Sequence, residues 1–331
     1  MDRAANLDAL LEAWANDPRI FQIADKISLS VPQQISLQNL QGSSAAFLLA
    51  AVFGHKAAAG LNHLVICEDA EDAAYFHNSL EGITQALDLF YFPSSFKNKR
   101  NYQLLNSSHV MLRTEALTKI AAGGNKKILI TYPEAVFEKV VVGKALSSNI
   151  ISIKQAETIA VDSILELLVM LGFKRTDFVY EPGQFAVRGG ILDIYSYGNE
   201  KPYRIELFGN EVDSIRIFDP ETQLSERKLL QVSIIPNVDT QFETADKVPL
   251  LEFLPGNAVV WTTDWQFISE RLQQEQEDLE NFLGWLRTNP QQQAPPEEEV
   301  IDTDSVLKQV TEADFTTPEV FAQQLALRHQ V

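Results

Sequence analysis

Pro182-Gly183-Gln184-Phe185-Ala186-Val187-Arg188-Gly189-Gly190-Ile191-Leu192-Asp193-Ile194 is the stretch on which the reading of this chain turns. Ile191, Leu192, Ile194 and Tyr195 form a short strand signal. Tyr203-Arg204-Ile205-Glu206-Leu207-Phe208 alternates apolar and charged residues, the period of a half-buried strand. Gly209-Asn210 reads as a two-residue hairpin turn of the glycine-first type. Glu211 to Phe218 then returns with Val212, Ile215 and Ile217 as its apolar set. Gly183 and the pair Gly189-Gly190 mark places where the chain breaks or bends and a side chain would not be tolerated. A buried, unpaired guanidinium is very costly, so Arg175, Arg188 and Phe185 are not all expected inside. The stretch predicts a compact β-unit running from Arg175 to about Ser233.

Outward from this unit the pattern changes. Upstream, Ile164, Leu165, Leu167, Leu168 and Leu171 give a helix with Asp162 or Ser163 as a natural N-cap, ended by Gly172. Before that, helix and strand signals alternate. His63–Cys67, Leu87–Pro93 and Ile128–Tyr132 read as strands, and helices follow from Ala73, from Met111 and from Pro133. Glu68-Asp69-Ala70-Glu71-Asp72 suits the acidic start of a helix better than a catalytic pair. His63 and His77 lack a metal-ligand partner four residues on. Ser94 to Asn106 reads as a polar connection carrying Lys97, Lys99 and Arg100. Leu7 to Trp14 carries a helical stripe.

Downstream, Leu250–Leu254 and Asn257–Trp261 read as a short helix and a strand that return to the first domain. Trp265 to Leu286 is a long helix, Asn289 to Glu299 a proline-bearing linker, and Asp302 to Thr311 a further helix. The expected architecture is α/β. A RecA/Rossmann-like parallel sheet with helices on both faces carries an inserted, mainly antiparallel α+β domain, laid out as 1–150, 151–240 and 241–331.

Ile35 to Ala50 reads as strand, Gly/Ser turn and apolar helix, the setting of a P-loop. That loop needs glycines to wrap phosphate, a lysine for the β- and γ-phosphates and a hydroxyl for Mg²⁺. Here Gly42 keeps one glycine place, while Asn39 and Ser44 replace the other two. Ala45 stands at the lysine place and Ala46 at the hydroxyl place. Lys56 lies about three helical turns downstream. The expectation is a lost nucleotide site, with no catalytic and no metal-binding residues.

Composition sets bounds. With 331 residues and 45% hydrophobic content the chain can build real cores. It has no apolar run of about 18 residues. Its start lacks a signal-peptide pattern, and one cysteine, Cys67, excludes an internal disulfide, so a cytoplasmic protein is expected. Net charge is −18, with 14 acidic and 4 basic residues from 264 onward. That balance opposes strong autonomous DNA binding, which draws on neutralised phosphates.

The runs PGQFAVRGGILDIY (182–195) and PYRIELFGNEVDSIRIFD (202–219), with Thr222-Gln223-Leu224-Ser225, resemble the UvrB-homology module at the N-terminus of bacterial transcription-repair coupling factors, the Mfd family. The resemblance implies that the β-unit is the inserted domain that docks onto UvrA. It also implies a core that no longer hydrolyses ATP, so that ATP and Mg²⁺ belong to motor domains further along a longer chain. Arg175 and Arg188 occupy places where UvrB-type domains use arginine against UvrA, with Phe185 beside them as an apolar anchor. UvrB has another arginine two places before Arg188; Ala186 stands there, which implies lower affinity. UvrB's long damage-gripping hairpin is expected to be absent between Pro93 and Gly123. RNA polymerase and DNA would be met through later domains, and this part would be a monomer. The readings set against this binding module are an active nucleotide hydrolase or DNA translocase and an autoinhibitory clamp on the motor of the full-length protein.

Overall fold

The computed structural model describes residues 3–84, 88–98, 101–124, 126–238, 246–289 and 310–331. The chain begins with α1 (Arg3–Ala15), α2 (Pro18–Ile27) and α3 (Ser44–Gly54). Helix α2 starts where Asp17 accepts from the Arg19 amide at 2.8 Å and Pro18 takes the first turn. It buries Ile20, Ile23, Ala24 and Ile27 on one stripe. Then come β1 (Asn62–Ile66), α4 (Ala70–Thr84), β2 (Leu89–Tyr91), β3 (Phe96–Asn98), β4 (Asn101–Leu105), α5 (Ser107–Ala121), β5 (Ile128–Thr131), α6 (Pro133–Phe137), β6 (Val140–Val141) and α7 (Gly143–Ser148).

The inserted segment holds β7 (Ile151–Lys154), α8 (Val161–Met170), β8 (Lys174–Arg175), β9 (Gln184–Arg188), β10 (Ile191–Ile194), β11 (Tyr203–Phe208), β12 (Glu211–Phe218), β13 (Ser225–Leu229) and β14 (Gln231–Ile234). The chain returns through β15 (Lys247–Val248), α9 (Leu250–Phe253), β16 (Ala258–Trp261), α10 (Trp265–Thr288), α11 (Pro318–Leu325) and β17 (His329–Gln330).

The central sheet has the order β17-β16-β1-β5-β2, and every pairing in it is parallel. Every residue of β1, β5 and β16 is buried, as strands in a helix-flanked parallel sheet must be. Strand β16 lies beside β1, so residues between β5 and β16 in sequence leave this sheet and come back to it. Two short antiparallel ladders hold the departure and return together: β6 with β15, and β7 with β14. The inserted α+β segment and the α/β core are thus as expected.

Several local expectations are corrected. Residues 35–40 form no strand; only Gln34 makes an isolated bridge, to Gln330, and β17 supplies the pairing beside β16 instead. The contact along β17 ends where the Ile35 amide donates to the Gln330 carbonyl at 2.9 Å. Ser94 to Asn106 is not a plain polar connection. It forms the short hairpin β3–β4, which buries Phe96, Tyr102, Leu104 and Leu105. Helix α6 stops at Phe137, giving way to β6, and Gly143–Ser148 is helical. Helix α8 begins after Ala160 with no side-chain cap, not at Asp162 or Ser163. The helix expected from Asp302 and the linker from Pro290 lie outside the described residues.

Candidate partner-binding face

The six-stranded sheet β13-β12-β11-β10-β9-β8 builds the site. Its strands alternate cleanly, and the register sorts side chains onto two faces. One rung runs Phe185, Ile194, Tyr203, Ile217; its neighbour runs Val187, Leu192, Ile205, Ile215. This face is the apolar one. Phe185 is 1% exposed, in contact with the main hydrophobic core. The expectation that it serves as a surface anchor is therefore corrected. Its partner across the ladder is Ile194, and strand parity turns both inward.

The opposite face carries the rung Ala186, Asp193, Arg204, Arg216, Lys228. Asp193 sits at its centre, fully buried. Arg204 donates to both carboxylate oxygens of Asp193, from Nε at 2.8 Å and from Nη2 at 2.9 Å. Arg188 donates to the same carboxylate through Nη2, and to the Asp177 carbonyl at 3.1 Å. A buried carboxylate is tolerable here because two guanidiniums compensate it. Each guanidinium also stacks on a ring: Arg188 over Phe178 at 4.4 Å, Arg204 over Phe218 at 4.3 Å.

The turn after β12 completes the arrangement. Asp219 caps it, accepting from the Glu221 and Thr222 amides, and these bonds, led by Thr222, hold its carboxyl below the usual range. Gln223, at φ +61°, offers its carbonyl to Arg204 Nη1 at 2.9 Å. Next on the rung, Arg216 pairs with Glu206 at 3.0 Å, and Ser214 donates to the same carboxylate. What remains outward is half-exposed Arg188, Glu206 and Arg216 with exposed Lys228; Asp193 binds Arg188 from beneath, and Arg216 pairs with Glu206.

Arg175 lies elsewhere. It is exposed on the edge strand β8, where the parallel register sets it opposite Phe185. Strand parity then puts Arg175 and Arg188 on different faces of the sheet. Asp193, Arg204 and Arg216 are the residues the motif reading missed. The signal was present in the alternation of Tyr203–Phe208, which places Arg204 and Glu206 together.

Two glycines make the sheet geometrically possible. Gly183, at φ +84°, lies so close to Tyr197 that a Cβ would meet its hydroxyl at 2.5 Å. A Cβ on Gly190 would meet the Leu207 carbonyl at 2.8 Å.

In the other candidate region, Asn39 (φ +62°) and Gly42 (φ +54°) shape a loop into α3. Ser44 Oγ accepts from the Gln41 amide at 2.7 Å, Ala45 lines a cleft, and Ala46 is packed into the core. Asp72 lines the same cleft, and Glu68 and Asp69 lie with it near Cys67. Burial first, then these three carboxylates, push the Cys67 thiol far up. Asp69 caps α4 by accepting from the Asp72 amide at 2.9 Å.

The class this structure defines is an α/β core with a parallel sheet, carrying an inserted strand-rich segment with a charged outer face. Residues 151–239 match the family model of the UvrB interaction domain. The chain is also similar to transcription-repair-coupling factors, in agreement with the resemblance to their UvrB-homology module. That of Bacillus subtilis is 42% identical over 91 residues, covering 28% of this chain and 8% of the relative. One from Staphylococcus aureus is 33% identical over 172 residues, 52% of this chain and 14% of the relative. One from Myxococcus xanthus is 27% identical over 219 residues, 65% and 18%. The chain thus spans less than a fifth of the length of these curated relatives.

Proposed function

We propose that this chain is a non-catalytic protein-binding module of a transcription-repair coupling factor, and that it recruits UvrA to stalled transcription complexes for nucleotide excision repair. The observation that carries the reading is the UvrB interaction domain match over 151–239. The same segment presents an arginine-bearing face braced by a buried carboxylate. Arginine beside aromatic rings is the composition of an interface hot spot. Arg188 on the face and Arg175 on the edge are the proposed contacts, and Phe185 supports them from within the core.

Loss of nucleotide chemistry belongs to the same proposal. Ala45 and Ala46 carry no charge and no hydroxyl, and Asp72 in the cleft lining opposes a triphosphate electrostatically. RNA polymerase and DNA would be engaged by other domains of a longer protein. With net charge −18 this part would bind DNA weakly, as a cytoplasmic monomer.

The test is a pull-down and a titration with purified UvrA. Wild-type chain should bind, and Arg188→Ala with Arg175→Ala should weaken the complex. Full binding by the folded double variant would move the interface elsewhere. Tight, Mg²⁺-dependent ATP binding in calorimetry would revive the hydrolase reading.

A further inference from the structure

The cleft at the altered P-loop has not collapsed. It encloses about 940 Å³ at the C-terminal ends of β1, β16 and β17, where open parallel sheets hold their ligands. A volume of that order is ample for a small molecule. A site that had lost all occupants would be free to fill, since protein interiors are otherwise close-packed.

Its chemistry differs from that of a nucleotide pocket. Leu37, Leu48, Phe76 and Trp265 supply apolar and aromatic walls. Among the described lining residues there is one charged group, the carboxylate of Asp72, and no cation. Thr262 also lines the cleft, and its buried Oγ1 has no hydrogen-bond partner among the described residues. An anion entering here would meet a carboxylate and no donor side chain of opposite charge. A cation would meet Asp72, the one charged side chain of the lining, which attracts it, within walls that include the aromatic side chains of Phe76 and Trp265.

We propose that the cleft binds a small organic cation with an aromatic body, an arylalkylamine in chemical class. Its ammonium is set against Asp72 and its ring among Leu37, Leu48, Phe76 and Trp265. The proposal concerns a region separate from the arginine-bearing face and does not depend on UvrA.

The probe is 2-phenylethylamine, titrated into the whole chain by calorimetry and ligand-observed NMR, with 2-phenylethanol as its neutral counterpart. The amine should bind saturably and about fivefold more tightly than the alcohol, the gain of one partly exposed ion pair. Asp72→Asn should erase that difference, and Ala45→Phe, which fills the cleft, should abolish binding of both. Asp72 lies at an exposed helix start, so its variant is expected to fold. Absence of saturable amine binding, or equal affinity for amine and alcohol, would overturn the proposal. So would an unaltered preference in Asp72→Asn. Saturable Mg-ATP binding in the same titration would overturn it too, and would be the one result that also removes the lost-nucleotide-site reading.

Discussion

Arg204 grips Asp193 as a two-pronged fork, Nε to one carboxylate oxygen at 2.8 Å and Nη2 to the other at 2.9 Å. Asp193 is fully buried, and Arg188 completes its compensation from the neighbouring strand. The outward arginine surface is therefore anchored on a charge no partner can touch. Removing that charge should matter both to folding and to recognition.

Asp193→Asn leaves two guanidiniums short of their carboxylate. Breaking a buried pair from one side costs about 3–5 kcal/mol, and partial exposure of Arg188 lowers the expectation to about 2–3 kcal/mol. Urea denaturation measures it. A loss below about 0.5 kcal/mol would mean the network is ornamental to stability, and UvrA binding should fall alongside.

Arg175 and Arg188 sit on different faces of one sheet and share no partner. Their alanine substitutions should therefore act additively on UvrA affinity, within about 0.5 kcal/mol. A double-mutant cycle reads this directly. Coupling above about 1 kcal/mol would show that a partner bridges them, against the geometry.

Glu275 on α10 gives a pH signature. Burial first, and then the nearby Glu134 carboxylate, push its carboxyl up from 4.5 to about 7. Tyr102 donates to it at 3.1 Å and Arg271 lies 3.6 Å away. The folded state holds this proton more tightly than the unfolded chain does. The associated stability is full below the unfolded value of 4.5 and is lost as pH rises through about 7. The loss between pH 5 and 8 should be at most about 3 kcal/mol from this group. Glu275→Gln should flatten the urea midpoint over that window. An unchanged slope in the variant would assign the pH dependence to other groups.

Glycine substitutions separate two causes of strain. Gly209 has φ +63° with open space around its missing side chain, so Gly209→Ala pays only the left-handed backbone cost, about 1–2 kcal/mol. Gly183→Ala meets the same backbone cost and the Tyr197 ring at 2.5–2.9 Å. It should destabilise more than Gly209→Ala, by about 1 kcal/mol or more. Equal melting temperatures in the two variants would show that Tyr197 swings away freely.

Much of this architecture is local and could be read along the chain. The continuous apolar runs of β1 and β5 announced a parallel sheet, and the alternation of Tyr203–Phe208 with Gly209-Asn210 announced the β11–β12 hairpin. Residues 35–40 misled because strand propensity counts only where a ladder carries it: Gln34 bridges Gln330 and the Ile35 amide donates to the Gln330 carbonyl at 2.9 Å, and no strand follows. Phe185 misled for a different reason. It was grouped with Arg188 by nearness in sequence, although three positions along a strand reverse the face.

By itself, then, the amino-acid order determined the class of fold and the insertion. Each is written in residue type and short-range period, which need no partner to be expressed. Only the tertiary structure decided which arginines act together, that Asp193 lies beneath them, and that Phe185 faces inward. Those facts depend on register between strands, and register is set where separate segments meet and bury a common face.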